Sequence, residues 1–180
     1  KLALQDGSLD AAELDASTSK ILQYKATLRT DAPALDTVGI PEHRALSERI
    51  TRAAITLVND APFALGARPL FVGCYRFRPT MVSSPEDTSL SFADTLAALL
   101  GGDGMNTSQS PTDEEIAHAL TQATQHTSIV IGTYNGRLRE GQMKLVEAVA
   151  KLAVPVCVVA LRNPYDLANL PKHVRTIAAY

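Results

Sequence analysis

The sequence predicts an α/β fold: a three-layer αβα sandwich on a mostly parallel sheet of about five strands, preceded by a helix and a linker. Three observations predict it. Residues 127–167 read as strand, loop, helix, strand and loop, a βαβ unit whose crossover should be right-handed. Short apolar runs recur at 54–59, 70–75, 128–134, 154–161 and 174–180, and helical patterns at 92–100, 110–123 and 140–152 fall among them. The run Val154–Leu161 is apolar throughout, which suits a strand buried on both faces of a parallel sheet.

Composition sets the outer bounds. The 180 residues are 46% apolar and 20% charged, ordinary values for a globular protein with a full core and an appendage. A formal charge of −2 argues against a basic nucleic-acid surface, so no nucleic acid is expected as a partner. No window reaches the ~18 consecutive apolar residues of a membrane span. The chain opens on Lys1 rather than Met and reads as a piece of a longer one. Cys74 and Cys157 lie in apolar runs and read as buried free thiols. Two cysteines and four scattered histidines give no zinc-type spacing, so neither metal nor cofactor is expected.

In chain order, Asp10 can cap a helix within residues 1–30, with Glu13 three positions on as in a capping box. Ala11, Leu14, Ile21, Leu22 and Leu28 share one face of it, and nothing nearby in sequence covers that face. Residues 31–42 carry two prolines and a glycine without periodicity and read as a linker. Residues 43–180 read as the sandwich. Pro41 opens a helix to about residue 53, which runs almost directly into the first strand, Ala54–Asn59. Leu70–Tyr75 is the second strand, followed by a polar loop with Arg76, Arg78, Glu86 and Asp87.

The next helix points Phe92, Leu96, Leu99 and Leu100 at the sheet, and Gly101-Gly102 stops it. Residues 103–110 are polar and weakly extended. Ser110-Pro-Thr-Asp-Glu-Glu115 opens the following helix, with Ser110 as cap, Pro111 in the first position and three acids in the first turn. Ile116, Ala119, Leu120 and Ala123 form its apolar face. Ser128–Tyr134 is rich in β-branched residues and closes on Asn135-Gly136, a turn dipeptide. Leu145, Val146, Val149 and Leu152 form the apolar face of the helix after it, and Val174–Tyr180 is the last strand.

The chemistry searched for is mostly missing. No Gly-x-Gly-x-x-Gly, Walker A or Gly-x-Ser-x-Gly pattern occurs. The four histidines read as surface residues, and Asp113, Glu114 and Glu115 as helix first-turn acids. Glu140 and Glu147 read as a solvated helix face. The polar clusters that follow two strands remain: Thr133, Asn135 and Arg137, then Arg162, Asn163, Tyr165 and Asp166. Both should lie at the carboxyl edge of the sheet, where ligands and partners sit in open α/β folds. They are the candidate substrate-binding or domain-interface residues. Asp166 reads either as part of that edge or as a cap on its own turn. No residue qualifies as catalytic.

Several stretches carry a resemblance. Ala53-Ala-Ile-Thr-Leu-Val-Asn59, Ile129-Val-Ile-Gly-Thr-Tyr-Asn135, Gln142 near a helix start, Pro155-Val-Cys-Val-Val-Ala-Leu-Arg-Asn-Pro-Tyr-Asp166 and Ala178-Ala-Tyr180 together resemble the C-terminal αβα-sandwich domain of glycoside hydrolase family 3. The likeness is greatest to the bacterial β-N-acetylglucosaminidase (β-hexosaminidase) branch. Asp6–Asp15 and Ile21–Lys25 are similar to the last helix after that family's catalytic (β/α)8 barrel.

The resemblance implies a parent that is a retaining glycosidase on β-linked N-acetylglucosaminides. Its Asp nucleophile and His acid/base lie on the barrel, which is outside this sequence. The chain's partners would then be its own N-terminal barrel and the parent's carbohydrate substrate, and the chain alone would be inactive. Two other readings stand beside it. One is a non-catalytic α/β module that binds a carbohydrate or a protein; the other is a small independent enzyme using Cys74 or Asp166.

Overall fold

The computed structural model describes residues 2–28, 34–74 and 91–180. The chain divides into two compact units, Lys1–Leu46 and Ser47–Tyr180.

The first unit begins with α1 (Leu2–Gln5), a turn at Gly7, and α2 (Ala11–Ala26). Asp10 is extended and caps α2, but its carboxylate accepts from the Ala12 N–H at 2.8 Å rather than joining Glu13 in a capping box. None of the residues of α2 is buried: Leu14, Ile21 and Leu22 are 42%, 57% and 59% exposed. The uncovered face read from the sequence is a feature of the folded unit. A 3-10 turn at Leu35–Thr37 precedes α3 (Pro41–Ala54), which runs from the first unit into the second.

The second unit holds β1 (Thr56–Asn59), β2 (Pro69–Cys74), α4 (Phe92–Leu100), β3 (Asp103–Thr107), α5 (Asp113–Ala123), β4 (Ser128–Thr133), α6 (Glu140–Val149), β5 (Val156–Ala160) and β6 (Arg175–Ala178). The strands form one sheet in the order β1-β6-β5-β4-β2-β3. Every neighbouring pair is parallel except β1 with β6.

The apolar runs explain the layering. In β2, β4 and β5, alternate residues face opposite ways. Leu70, Val72, Ile129, Ile131, Val156 and Val158 bury one sheet face against α5 and α6. Phe71, Val130 and Cys157 bury the other against Ala93 and Phe92 of α4. Each full burial of such a side chain stabilises by about 1.5–3 kcal/mol. Gly132 is required by the second face: a Cβ there would lie 2.5 Å from the Phe92 ring.

The structure corrects the sequence reading in five further places. The sheet has six strands, because residues 103–107 pair in parallel with all of β2 from Leu70 to Cys74. Asp-Gly-Met-Asn-Thr lacks β-branched apolar residues because β3 is an edge strand. Leu99 and Leu100 are exposed, at 74% and 55%, whereas Phe92 and Leu96 pack against the sheet. The cap of α5 is Thr112, not Ser110. It closes a capping box with Glu115, whose carboxylate also accepts the Ser108 N–H and hydroxyl, both at 2.7 Å.

His126 is buried rather than superficial, and this is the fourth correction. Its ring nitrogens face the Gln122 carbonyl at 2.7 Å and the Asp103 carboxylate at 2.8 Å, which joins the end of α5 to β3. That bond, assisted by Arg68, holds Asp103 below the usual carboxylate range. The fifth concerns Asp166 and belongs to the site. No described helix is long and apolar enough to cross a membrane.

Candidate functional site

In this sheet order β2 leads to β3 on one side, while β4 leads to β5 on the other. The carboxyl ends of β2 and β4 therefore flank the switch point of the sheet, the place where open α/β folds bind. The loop after β2 lies outside the described residues, together with Arg76, Arg78, Glu86 and Asp87. The loops after β4 and β5 are described in full.

The β4 loop is shaped by its turn residues. Asn135 adopts φ 53°, a left-handed conformation that Asn tolerates, and Gly136–Leu138 forms a 3-10 turn that delivers the chain to α6. The β5 loop ends in a second 3-10 turn, Pro164–Leu167. Asn163 caps it by accepting the Tyr165 N–H at 3.1 Å, and Pro164 supplies a φ already suited to the turn.

Asp166 joins the two loops. It is fully buried, and its two oxygens accept the Gly136 N–H at 2.7 Å and the Arg137 N–H at 3.0 Å. The local-cap reading is thereby corrected: the cap is Asn163, and Asp166 reaches across to the neighbouring loop. Gly136 packs closely beside it: a Cβ there would lie 3.0 Å from Met143 Sδ and 3.2 Å from the Asp166 carboxylate, so either side chain would have to give by a few tenths of an ångström. Arg137 returns the tie through its Nε, which donates to the Tyr165 carbonyl at 2.9 Å.

The remaining candidates divide by exposure. Thr133, at 1% exposure, points to the side of the sheet that α5 and α6 cover, and its hydroxyl has no hydrogen-bond partner among the described residues. Arg162 is exposed, stacks over the Tyr134 ring 5.4 Å from its centroid, and donates to the Tyr134 hydroxyl at 2.9 Å. Tyr165 is 71% exposed. The structure thus brings Asn135, Arg137, Arg162, Asn163, Tyr165 and Asp166 to one loop pair, and buries Thr133 beneath it.

Two residues outside the candidate set help to hold it. Gln142, 4% exposed, accepts the Tyr134 N–H at 2.9 Å and donates to the Gln109 carbonyl at 2.7 Å. A signal for it existed: position 142 lies on the apolar stripe that continues through Leu145, Val146 and Val149, where an amide must find buried partners. Tyr134 is the other, and only the fold reveals its contact with Arg162.

Chemically, this edge offers guanidinium groups, one exposed phenol and saturated amides. Its buried carboxylate already accepts two N–H bonds and has no contact with solvent, so it is not placed to act as nucleophile or base. Among the described residues no group of three or more His, Cys, Asp or Glu side chains could hold a metal ion. Cys157 is a buried free thiol, pushed up to about 11 by burial and unsuited to nucleophilic work at neutral pH. An open cavity of about 970 Å³ adjoins this loop pair at Arg137 and is lined further by Glu147, Lys151, Leu170 and His173 among others.

Comparison with known proteins places this architecture. No protein-family profile matches the chain, and no curated protein sequence matches it. Solved structures do. A family 3 β-N-acetylglucosaminidase from Paenibacillus sp. str. FPU-7 matches 99% of this chain with 36% of its own, at 27% identity and a TM-score of 0.64. A fungal multi-domain family 3 β-N-acetylglucosaminidase matches 99% with 21% of its own, at 24% identity and a TM-score of 0.61. A β-glucosidase from Listeria innocua matches 99% with 29% of its own, at 15% identity and a TM-score of 0.58. The resemblance to family 3 read from the sequence is borne out: the chain has the architecture of one domain of these glycosidases. It spans about a third or less of the length of each.

Proposed function

We propose that this chain is the accessory C-terminal domain of a family 3 glycoside hydrolase that cleaves β-linked N-acetylglucosaminides with retention. The observation that carries the proposal is the match of nearly the whole chain to about a third of the Paenibacillus β-N-acetylglucosaminidase, at higher identity than to the β-glucosidase. In this reading the chemistry belongs to a (β/α)8 barrel that precedes the chain, and residues 1–30 trail that barrel. Residues 31–42 are the linker, and 43–180 the sandwich domain.

Among the described residues of the carboxyl edge no acid/base pair is placed for catalysis, which fits inactivity of the chain by itself. Asp166 is buried on two backbone amides, and the retaining mechanism needs two carboxyl groups or their equivalent across a cleft. The candidate edge residues then serve at the border with the barrel or with the substrate, not in the bond-breaking step.

The test is hydrolysis of a chromogenic β-N-acetylglucosaminide by the 180-residue chain, beside the same chain with its upstream coding region restored. Activity is expected in the longer protein alone. Turnover by the short chain would refute the accessory-domain reading. A longer protein that prefers a β-glucoside would overturn the substrate assignment while leaving the domain assignment intact.

A further inference from the structure

Asn135-Gly136 is the one Asn-Gly step in the 180 residues. Such a step is chemically the weakest that an asparagine can make, because glycine has no side chain to hinder its nitrogen from attacking the amide before it. The reaction needs only water. The Gly136 nitrogen gives up its proton and bonds to Cγ of Asn135, ammonia leaves with that proton, and a succinimide ring remains. Water then opens the ring at either carbonyl, to aspartate or to isoaspartate, whose backbone is one carbon longer.

The folded loop blocks the first step in two ways. Gly136 is buried, and its N–H donates to Asp166 Oδ2 at 2.7 Å, so the proton that must leave is bound to a carboxylate out of reach of solvent. An amide anion formed there would face a like charge in a dry site. The backbone is also turned the wrong way. Ring closure requires Cβ of Asn135 and the Gly136 nitrogen to eclipse about the Cα–C bond, and the observed ψ of 44° sets them nearly opposite. The bond from the Arg137 N–H to Asp166 Oδ1, at 3.0 Å, holds the chain in that turn. The Asn135 side chain itself is only half-buried and caps nothing.

We propose that Asn135-Gly136 is a latent site of self-modification, kept closed by Asp166 and opened when the tie between the two loops breaks. Once it has happened, the change is one-way. A new carboxylate at position 135 and a longer backbone no longer fit the short bonds that Gly136 and Arg137 make to Asp166, so the tie cannot re-form as it was. The inference does not depend on the glycosidase assignment.

The test follows residue 135 by mass spectrometry of proteolytic peptides, with an isoaspartate-specific methylation assay, during incubation at mildly alkaline pH. The samples are the folded 180-residue chain, the same chain in urea, and a synthetic peptide of residues 131–139. The folded chain should react more slowly than the other two by about tenfold or more, the factor that one charge-assisted hydrogen bond supplies. Asp166→Ala should recover about tenfold of that protection. Asn163→Ala, which loosens the turn that carries Asp166 and keeps the carboxylate, should recover less. Thr112→Ala, which weakens the fold away from the loop pair, should leave the rate at residue 135 unchanged.

Equal rates in the folded chain and the peptide would overturn the proposal. A slower rate in Asp166→Ala would overturn it too, making the carboxylate a base for the attack rather than a guard. Equal acceleration by Thr112→Ala would assign the protection to global folding and not to Asp166. Should Asp166→Ala fail to fold, Asn163→Ala decides alone, and an unchanged rate there overturns the proposal.

Discussion

A carboxylate without solvent contact must be stabilised by hydrogen bonds, and at Asp166 those bonds come from the Gly136 and Arg137 amides. Asp166→Ala would leave two amides without acceptors. It should lower stability by about 2–4 kcal/mol, read as a lower urea midpoint with an unchanged slope. Asp166→Asn keeps one acceptor oxygen and should fall between the two. In the proposed longer glycosidase, loss of Asp166 should lower stability or substrate affinity and leave the pH profile in place; loss of a titrating limb would mean that the carboxylate takes part in the chemistry. Cys157 gives a second residue-level expectation. With Cys74 replaced by Ser, the remaining thiol should label slowly in the native state and rapidly after unfolding, because burial both hides it and raises it to about 11. Of these two residues, the sequence made Cys157 legible, since a small residue inside a continuous apolar strand is buried. The acceptor role of Asp166 was not legible, because its partners are 29 and 30 residues away in the chain.

At the scale of elements, the start of α5 separates two nearby candidates. Ser110-Pro111 looks like a helix opening, yet the bonds form at Thr112, where the N3 position is a Glu that can return the hydrogen bond. Thr112→Ala should therefore cost about 1 kcal/mol, and Ser110→Ala less than about 0.5, by thermal or urea unfolding. The same Glu115 gives the helix a pH dependence. Its carboxyl is held below its ordinary value, first by the Ser108 hydroxyl and then by the Thr112 and Ser108 amides. A depressed folded value means that its stabilisation is present above the unfolded value near 4.5 and is lost as pH falls through the folded value. The acid limb of the stability curve should flatten in Glu115→Gln, while stability near neutral pH falls with the lost bonds. The edge strand β3 explains why such details escape sequence reading. Of its five residues only Met105 is apolar, as an edge strand that meets no further strand on one side allows, so period-2 and apolar-run signals both fail there. Central strands β4 and β5 have no such freedom, and their β-branched runs announced them.

On the scale of the whole molecule, the two units differ in how they meet the hydrophobic effect. The second unit buries both faces of its sheet, whereas α2 in the first unit leaves Leu14, Ile21, Leu22 and Leu28 open. A helix this polar on its other faces gains most of its stability from packing, and in the proposed reading the uncovered stripe packs on a neighbouring domain of the longer protein. If that neighbour is the barrel of a family 3 glycosidase, charges on the stripe have opposite consequences in the two contexts. Ile21→Glu and Leu22→Glu together should leave the unfolding of the 180-residue chain nearly unchanged, because both positions are already solvated. In the longer protein the same pair should lower the melting temperature and increase hydrogen exchange along residues 11–26, since each buried charge without a partner costs several kcal/mol. Equal tolerance in both proteins would show that the stripe stays in water, and the linkage of this helix to a preceding barrel would have to be abandoned.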